Sequence, residues 1–190
     1  MGTPVWPAQI AVKALMEEGF DTLFGITGGH INSFDDYWTI YGKRLYHMRH
    51  EQACGYAAEA YARATGKPGL AMATVGPGTC NIVSAINQQY WCNAPVVTIL
   101  GQTARSAYDR FAFQPVRGEQ MLSPCTKWTK RVDTPDMIAY YVRKACRDVM
   151  RKKTGHRCAR FRYPIGLGRI GNPAKIHYSL YVFRCDGLCP

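Results

Sequence analysis

The chain has 190 residues, with 24 Lys and Arg against 13 Asp and Glu, for a formal net charge of +11. Hydrophobic residues make up 47%, charged residues 19%, and 18 Gly and 11 Pro follow no period, which excludes a disordered, collagen-like or coiled-coil protein. The length suits one domain with a substantial core. Charge of this sign invites a nucleic-acid partner, but it is unevenly spread. Residues 1–150 hold 15 Lys and Arg against 12 acids, whereas residues 151–190 hold 9 against one, Asp186. No RNP-like or helix-turn-helix pattern accompanies the charge, so no nucleic-acid partner is expected.

The first residues, Met1-Gly2-Thr3-Pro4-Val5-Trp6-Pro7, lack a basic segment followed by an apolar one. No apolar run approaches the roughly 18 residues a spanning helix needs, so neither membrane nor export is expected. The expected location is the cytoplasm, with reduced thiols. The eight cysteines form no C-x-x-C pair, and most read as buried small apolar residues.

In chain order, Pro7 opens a helix whose stripe is Ile10, Ala11, Ala14 and Leu15, ended by Gly19. A strand at Thr22–Ile26 runs into the turn Thr27-Gly28-Gly29-His30, followed by a helix over about 31–40. The next strand is Arg44–Met48, and Glu51–Ala64 has small residues at helical spacing with Gly66 as the stop. Leu70–Val75 is a continuous apolar run of the kind buried on both faces of a parallel sheet. Gly76-Pro77-Gly78 then opens a helix to about Trp91, and Pro95–Leu100 is a second buried strand closed by Gly101-Gln102. Residues 103–124 are richer in loop types. Lys127–Val132 reads as a strand and Pro135–Arg151 as an amphipathic helix. Such alternation argues for a single-domain α/β fold, a doubly wound parallel sheet with helices on both faces.

Ligands of open parallel sheets collect beyond the carboxyl ends of the strands. Thr27–His30, His50-Glu51, Gly76–Gly78 and Gly101-Gln102 fall there. Glycines after a strand can be simple turn residues. The Gly76 turn is neither a Walker loop nor a dinucleotide fingerprint, since no Gly-Lys-Ser/Thr and no third glycine complete it. Glu51 opens a helix, where a carboxylate ordinarily compensates the dipole. In an apolar site the same carboxyl would instead be able to exchange a proton with a ligand.

The run Arg49-His50-Glu51-Gln52-Ala53-Cys54-Gly55-Tyr56-Ala57-Ala58-Glu59-Ala60-Tyr61-Ala62-Arg63-Ala64-Thr65-Gly66-Lys67-Pro68-Gly69 closely resembles the N-terminal pyrimidine-binding domain of thiamine-diphosphate-dependent enzymes, with the acetolactate synthase-like branch nearest. Phe24–His30, Thr74–Asn81, Ala94–Gln102, Ala112–Gln114 and Thr126–Trp128 follow the family's order over about 5–155. Thr27 and Val75 stand where many relatives carry Pro and Ser.

The resemblance implies thiamine diphosphate as cofactor and a small 2-oxo acid as substrate, decarboxylated with or without carboligation. It implies Glu51 as the carboxyl on the aminopyrimidine ring nitrogen and His30 as a proton relay, the bland alternative for His30 being a turn histidine. Gly28, Gly29, Thr74, Pro77, Gly78 and Asn81 would shape the pyrimidine site, with Gln102, Phe113 and Gln114 on the substrate side. In this family a separate domain binds the diphosphate and Mg²⁺ through Gly-Asp-Gly followed by Asn. Only Asp186-Gly187 approaches that motif here, so no metal ligand is expected in this chain.

The expected assembly is a homodimer, or a hetero-oligomer with a diphosphate-binding domain or subunit, the chain alone being inactive. The alternative is a catalytically silent fragment or a regulatory, dimerising module of the same fold. Residues 1–155 are expected to form the domain. Residues 156–190, with Arg157, Arg160 and Arg162 where relatives have an apolar strand, read as a divergent basic tail, truncated or frame-altered.

Overall fold

The computed structural model describes residues 6–107, 110, 112–151 and, as backbone, 177–183. The expected helices and strands form in the expected order. These are α1 (Pro7–Glu17), β1 (Thr22–Gly25), α2 (Asn32–Ile40), β2 (Arg44–His47), α3 (Glu51–Thr65), β3 (Gly69–Ala73), α4 (Pro77–Trp91) and β4 (Val96–Gln102). Two further pieces follow, the short α5 (Gly118–Leu122) and β5 (Trp128–Arg131). The helix expected from Pro135 begins as a 3-10 turn at Pro135–Met137 and continues as α6 (Ile138–Met150).

β1 pairs in parallel with β2 and β3, and β3 in parallel with β4. The whole sheet runs β2-β1-β3-β4-β6-β5. Its one unexpected member is β6 (His177–Phe183), which lies within the stretch read as a basic tail. It pairs antiparallel with β4, from Val96 opposite Phe183 to Gln102 opposite His177, and antiparallel with β5. β4 and β5 do not pair with each other, so each depends on β6 for the hydrogen bonds of its inner edge. The charge-free run His177-Tyr178-Ser179-Leu180-Tyr181-Val182-Phe183 has the residue types suited to that slot. The remaining residues of the tail lie outside the described ones.

Strand periodicity explains the layers. Leu70 and Met72 of β3, with Val97 and Ile99 of β4, face a core that includes Leu15 of α1, Phe34 and Trp38 of α2, and Val142 and Val149 of α6. Their alternates Ala71, Ala73, Val96 and Leu100 face Cys54 and Ala58 of α3, Ile82 and Ile86 of α4, and Leu122 of α5. β3 and β4 are therefore buried on both faces, as their unbroken apolar runs require. No helix among the described residues is long and apolar enough to cross a membrane. Cys54, Cys125 and Cys146 are buried, Cys80 and Cys92 exposed, and none of these five forms a disulfide.

Leu15 is fully buried and Ile40 is 71% exposed. Leu15→Ala should lower unfolding free energy by about 2–5 kcal/mol. Ile40→Ala should stay within about 0.5 kcal/mol of the parent. Urea denaturation monitored by circular dichroism checks both values.

Candidate functional site

The carboxyl ends of β1, β3 and β4 bring their turns to one edge of the sheet, and Thr74 lies where two of them meet. A Cβ added to Gly28 would stand 2.6 Å from Thr74 Cβ, and one added to Gly78 3.0 Å from Thr74 Cγ2. The two turns close on Thr74 only because neither glycine carries a side chain. The Thr74 carbonyl accepts from Thr79 Oγ1 at 3.1 Å, which ties the first turn of α4 to β3. The buried hydroxyl oxygen of Thr74 has no hydrogen-bond partner among the described residues.

Glu51 is the first residue of α3, held there by an N-cap in which His50 Nδ1 accepts from the Gln52 amide at 3.2 Å. Asn81, in the second turn of α4, donates its Nδ2 to Glu51 Oε2 at 3.0 Å. The other oxygen, Oε1, lies 3.3 Å from where a Cβ on Gly78 would be, and no described residue hydrogen-bonds it. One oxygen is thus anchored, while the other is left to meet a ligand. Burial, reinforced by the Glu51 charge, pushes the Cys54 thiol up to about 12, so this cysteine stays a packing residue beneath the site.

A second group stands beside the first. Gly101, at the end of β4, packs against His30, whose Cβ and carbonyl oxygen would lie 3.1 and 3.2 Å from an added Cβ. The His30 ring stacks on Phe113, with centroids 6.3 Å apart and planes inclined by 12°. Burial lowers the His30 pKa, favouring the neutral imidazole. Phe113 is 74% exposed on the rim. Gln114 follows at φ 54° and lies against Gly76, where an added Cβ would come within 2.7 Å of Gln114 Cβ. Gly76 has φ 65° and ψ −114°, a conformation costly for any residue with a side chain. Gly29 faces open space, and Pro77 is the first residue of α4.

The structure therefore brings Gly28, Thr74, Gly78, Glu51 and Asn81 together, with His30, Phe113 and Gln114 as a neighbouring group. Gln102 is placed differently from the rim residues. It is buried, its Nε2 donating to the Val116 carbonyl at 3.5 Å and its Oε1 accepting from the Thr103 amide at 3.2 Å. Asn32, the first residue of α2, also belongs to this edge. Its Oδ1 accepts from the Gly28 amide at 2.9 Å and so fixes the turn after β1. An Asn just inside a helix that follows two glycines was the available signal. Among the described residues no group of three or more His, Cys, Asp or Glu could hold a metal ion.

The family described as "Thiamine pyrophosphate enzyme, N-terminal TPP binding domain" matches residues 6–121. The chain belongs to that family. It is 35% identical over 140 residues to a probable acetolactate synthase large subunit of Methanocaldococcus jannaschii, covering 73% of this chain and 23% of that protein. It is 40% identical over 122 residues to an acetolactate synthase of Mycobacterium avium, covering 63% and 20%. The mitochondrial acetolactate synthase catalytic subunit of Saccharomyces cerevisiae is 33% identical over 140 residues, covering 72% and 20%. This thiamine pyrophosphate domain thus spans under a quarter of the length of these three relatives.

The His30 shift has a measurable sign. With its folded pKa below the ordinary 6.5, the unfolded chain binds more protons in that range, so stability is lost as pH falls through and below about 6.5. Proton NMR should give a His30 midpoint below 6.5, and Phe113→Ala, by uncovering the ring, should raise it. A midpoint unmoved by Phe113→Ala would show that the stack does not shield the imidazole.

Proposed function

We propose that this chain supplies the pyrimidine half of a thiamine diphosphate site in an acetolactate synthase-like or 2-oxo acid decarboxylase-like enzyme. A diphosphate-binding domain or subunit, in a homodimer or a hetero-oligomer, completes the site. The observation that carries this reading is the Glu51 carboxylate, anchored through Oε2 by Asn81 and, among the described residues, without a hydrogen bond at Oε1 beside Gly78. A ring nitrogen needs such a partner, one oxygen fixed for direction and one available for a proton.

The residues present fit the group. Gly28 and Gly78 let both turns close on Thr74, and the bare backbone of Gly78 beside Glu51 Oε1 suits the approach of a flat heteroaromatic ring. Thiamine diphosphate, when bound, supplies the electron sink for breaking or forming the bond beside the carbonyl of a 2-oxo acid. Glu51 holds or gives a proton at Oε1, and Asn81 keeps the carboxyl turned towards that task. His30, favoured in its neutral form, can accept a proton from the substrate side, while Phe113 and Gln114 wall that side. Mg²⁺ with the diphosphate would be held by the partner domain, because hard cations need oxygen ligands gathered around the phosphates. The domain would comprise residues 1–155 together with β6, which fills the sheet between β4 and β5, and the charge imbalance beyond Met150 supports reading the rest of 156–190 as a divergent basic extension.

The test is co-expression with a diphosphate-domain protein, followed by cofactor binding and pyruvate turnover. Glu51→Gln should reduce turnover by about 10²–10⁴-fold, the usual loss for a displaced proton-transfer group. Asn81→Ala should reduce it less, by about tenfold, since only the anchoring hydrogen bond is removed. Unchanged turnover in Glu51→Gln would sink the proton-exchange role. Absence of both cofactor binding and turnover in the complemented parent would favour a silent, dimerising module.

A further inference from the structure

β4 ends at Gln102, Phe113 and Gln114 stand at the rim, and α5 opens at Gly118. The described contacts at the tip of this stretch are modest: the ring stack with His30 and the packing of Gln114 on Gly76. Its base is held more firmly. Gln102 Nε2 donates across it to the Val116 carbonyl at 3.5 Å. Arg131, the last residue of β5 and only 9% exposed, donates Nη2 to the Thr103 carbonyl at 3.3 Å and Nε to Asp133 Oδ1 at 3.0 Å.

A cation at that depth persists only when it is paired and hydrogen-bonded. Asp133 supplies the charge, and the Thr103 carbonyl supplies an acceptor at the outgoing end of the stretch. At the returning end stands Glu119 of α5, whose carboxyl burial pushes up while Arg131 and Lys130 pull it down. One planar guanidinium therefore joins β5 to the outgoing limb, and its charge also acts on an acid of the returning limb. The fork geometry matters, because a lysine ammonium gathers its donors on one nitrogen and cannot reach both acceptors from the separate positions that Nε and Nη2 occupy.

We infer that Arg131 is a positioning residue for the substrate-side rim. It clamps the base of the Gln102–Gly118 stretch, and so keeps Phe113 over His30 and Gln114 against Gly76. The inference rests on the proposed substrate-side assignment of Phe113 and Gln114 only for its consequence in catalysis; the clamp itself is independent of it.

The experiment uses the full chain with Arg131→Met, which keeps much of the stem and removes the fork, and with Arg131→Lys, which keeps the charge. Hydrogen exchange at the amides of residues 112–118, without any cofactor, should accelerate at least about tenfold in Arg131→Met, in line with the loss of charge-assisted hydrogen bonds. Amides of β3 should be unchanged, and Arg131→Lys should not restore protection. Should Arg131→Met fail to fold, Asp133→Asn gives a smaller acceleration over the same amides. Unchanged exchange at 112–118 in the folded variants, or full rescue by lysine, overturns the clamp. In the complemented enzyme, Arg131→Met should raise KM for the 2-oxo acid with cofactor affinity retained. Faster exchange with KM unmoved would overturn the role at the substrate rim while leaving the Glu51 reading standing; loss of turnover by the parent itself would instead count against the proposed function.

Discussion

The edge of the sheet is organised by the close approach of two turns to Thr74. Bare backbone at Gly28 and Gly78 lets the β1 turn and the first turn of α4 press against the same side chain from two directions. With the α4 turn in that position, Gly78 lies beside Glu51 Oε1 and Asn81 comes within hydrogen-bond range of Oε2. A methyl group at either glycine would push the turns apart and take the carboxylate's anchor with it. The site is therefore made less by chemically special side chains than by the absence of side chains at two positions.

That approach is only as rigid as the platform below it. β3 and β4 are buried throughout, with alternate residues locked into two separate cores, so the strand ends cannot tilt without disturbing both layers. α3 and α4 share one of these layers and pack with their N-termini at the same edge, since Glu51 meets Asn81 across them. The first-turn amides of α3 favour the Glu51 carboxylate at that edge. The rim carried by the Gln102–Gly118 stretch is less deeply rooted. It depends on a few polar ties at its base and on one exposed ring at its tip.

Much of this was legible in the residues. Unbroken apolar runs at 70–75 and 95–100 required two-faced burial, and glycines at the strand ends marked the turns. Glu51 was identifiable as a candidate because a carboxylate at a strand-to-helix junction can serve either a helix dipole or a ligand. What escaped the sequence were contacts between distant positions. Asn81 to Glu51 spans 30 residues and Arg131 to Thr103 spans 28, and no local pattern announces either. The burial of Gln102 was likewise invisible, because a polar residue closing a strand can point to solvent or fold under the loop that follows.

The direction of β6 makes the same point for the sheet. Composition at 177–183 is compatible with a strand, but composition carries no sense of direction. Whether that strand runs with its neighbours or against them is decided by the slot between β4 and β5 and by where the chain enters it. By itself, the sequence determined the fold class, the order of elements and the residues able to bear chemistry, because periodicity and turn chemistry are local properties. Only the tertiary structure decided which of those residues meet, which oxygen of Glu51 Asn81 anchors and which strand completes the sheet, because each depends on backbone approach between segments far apart in the chain.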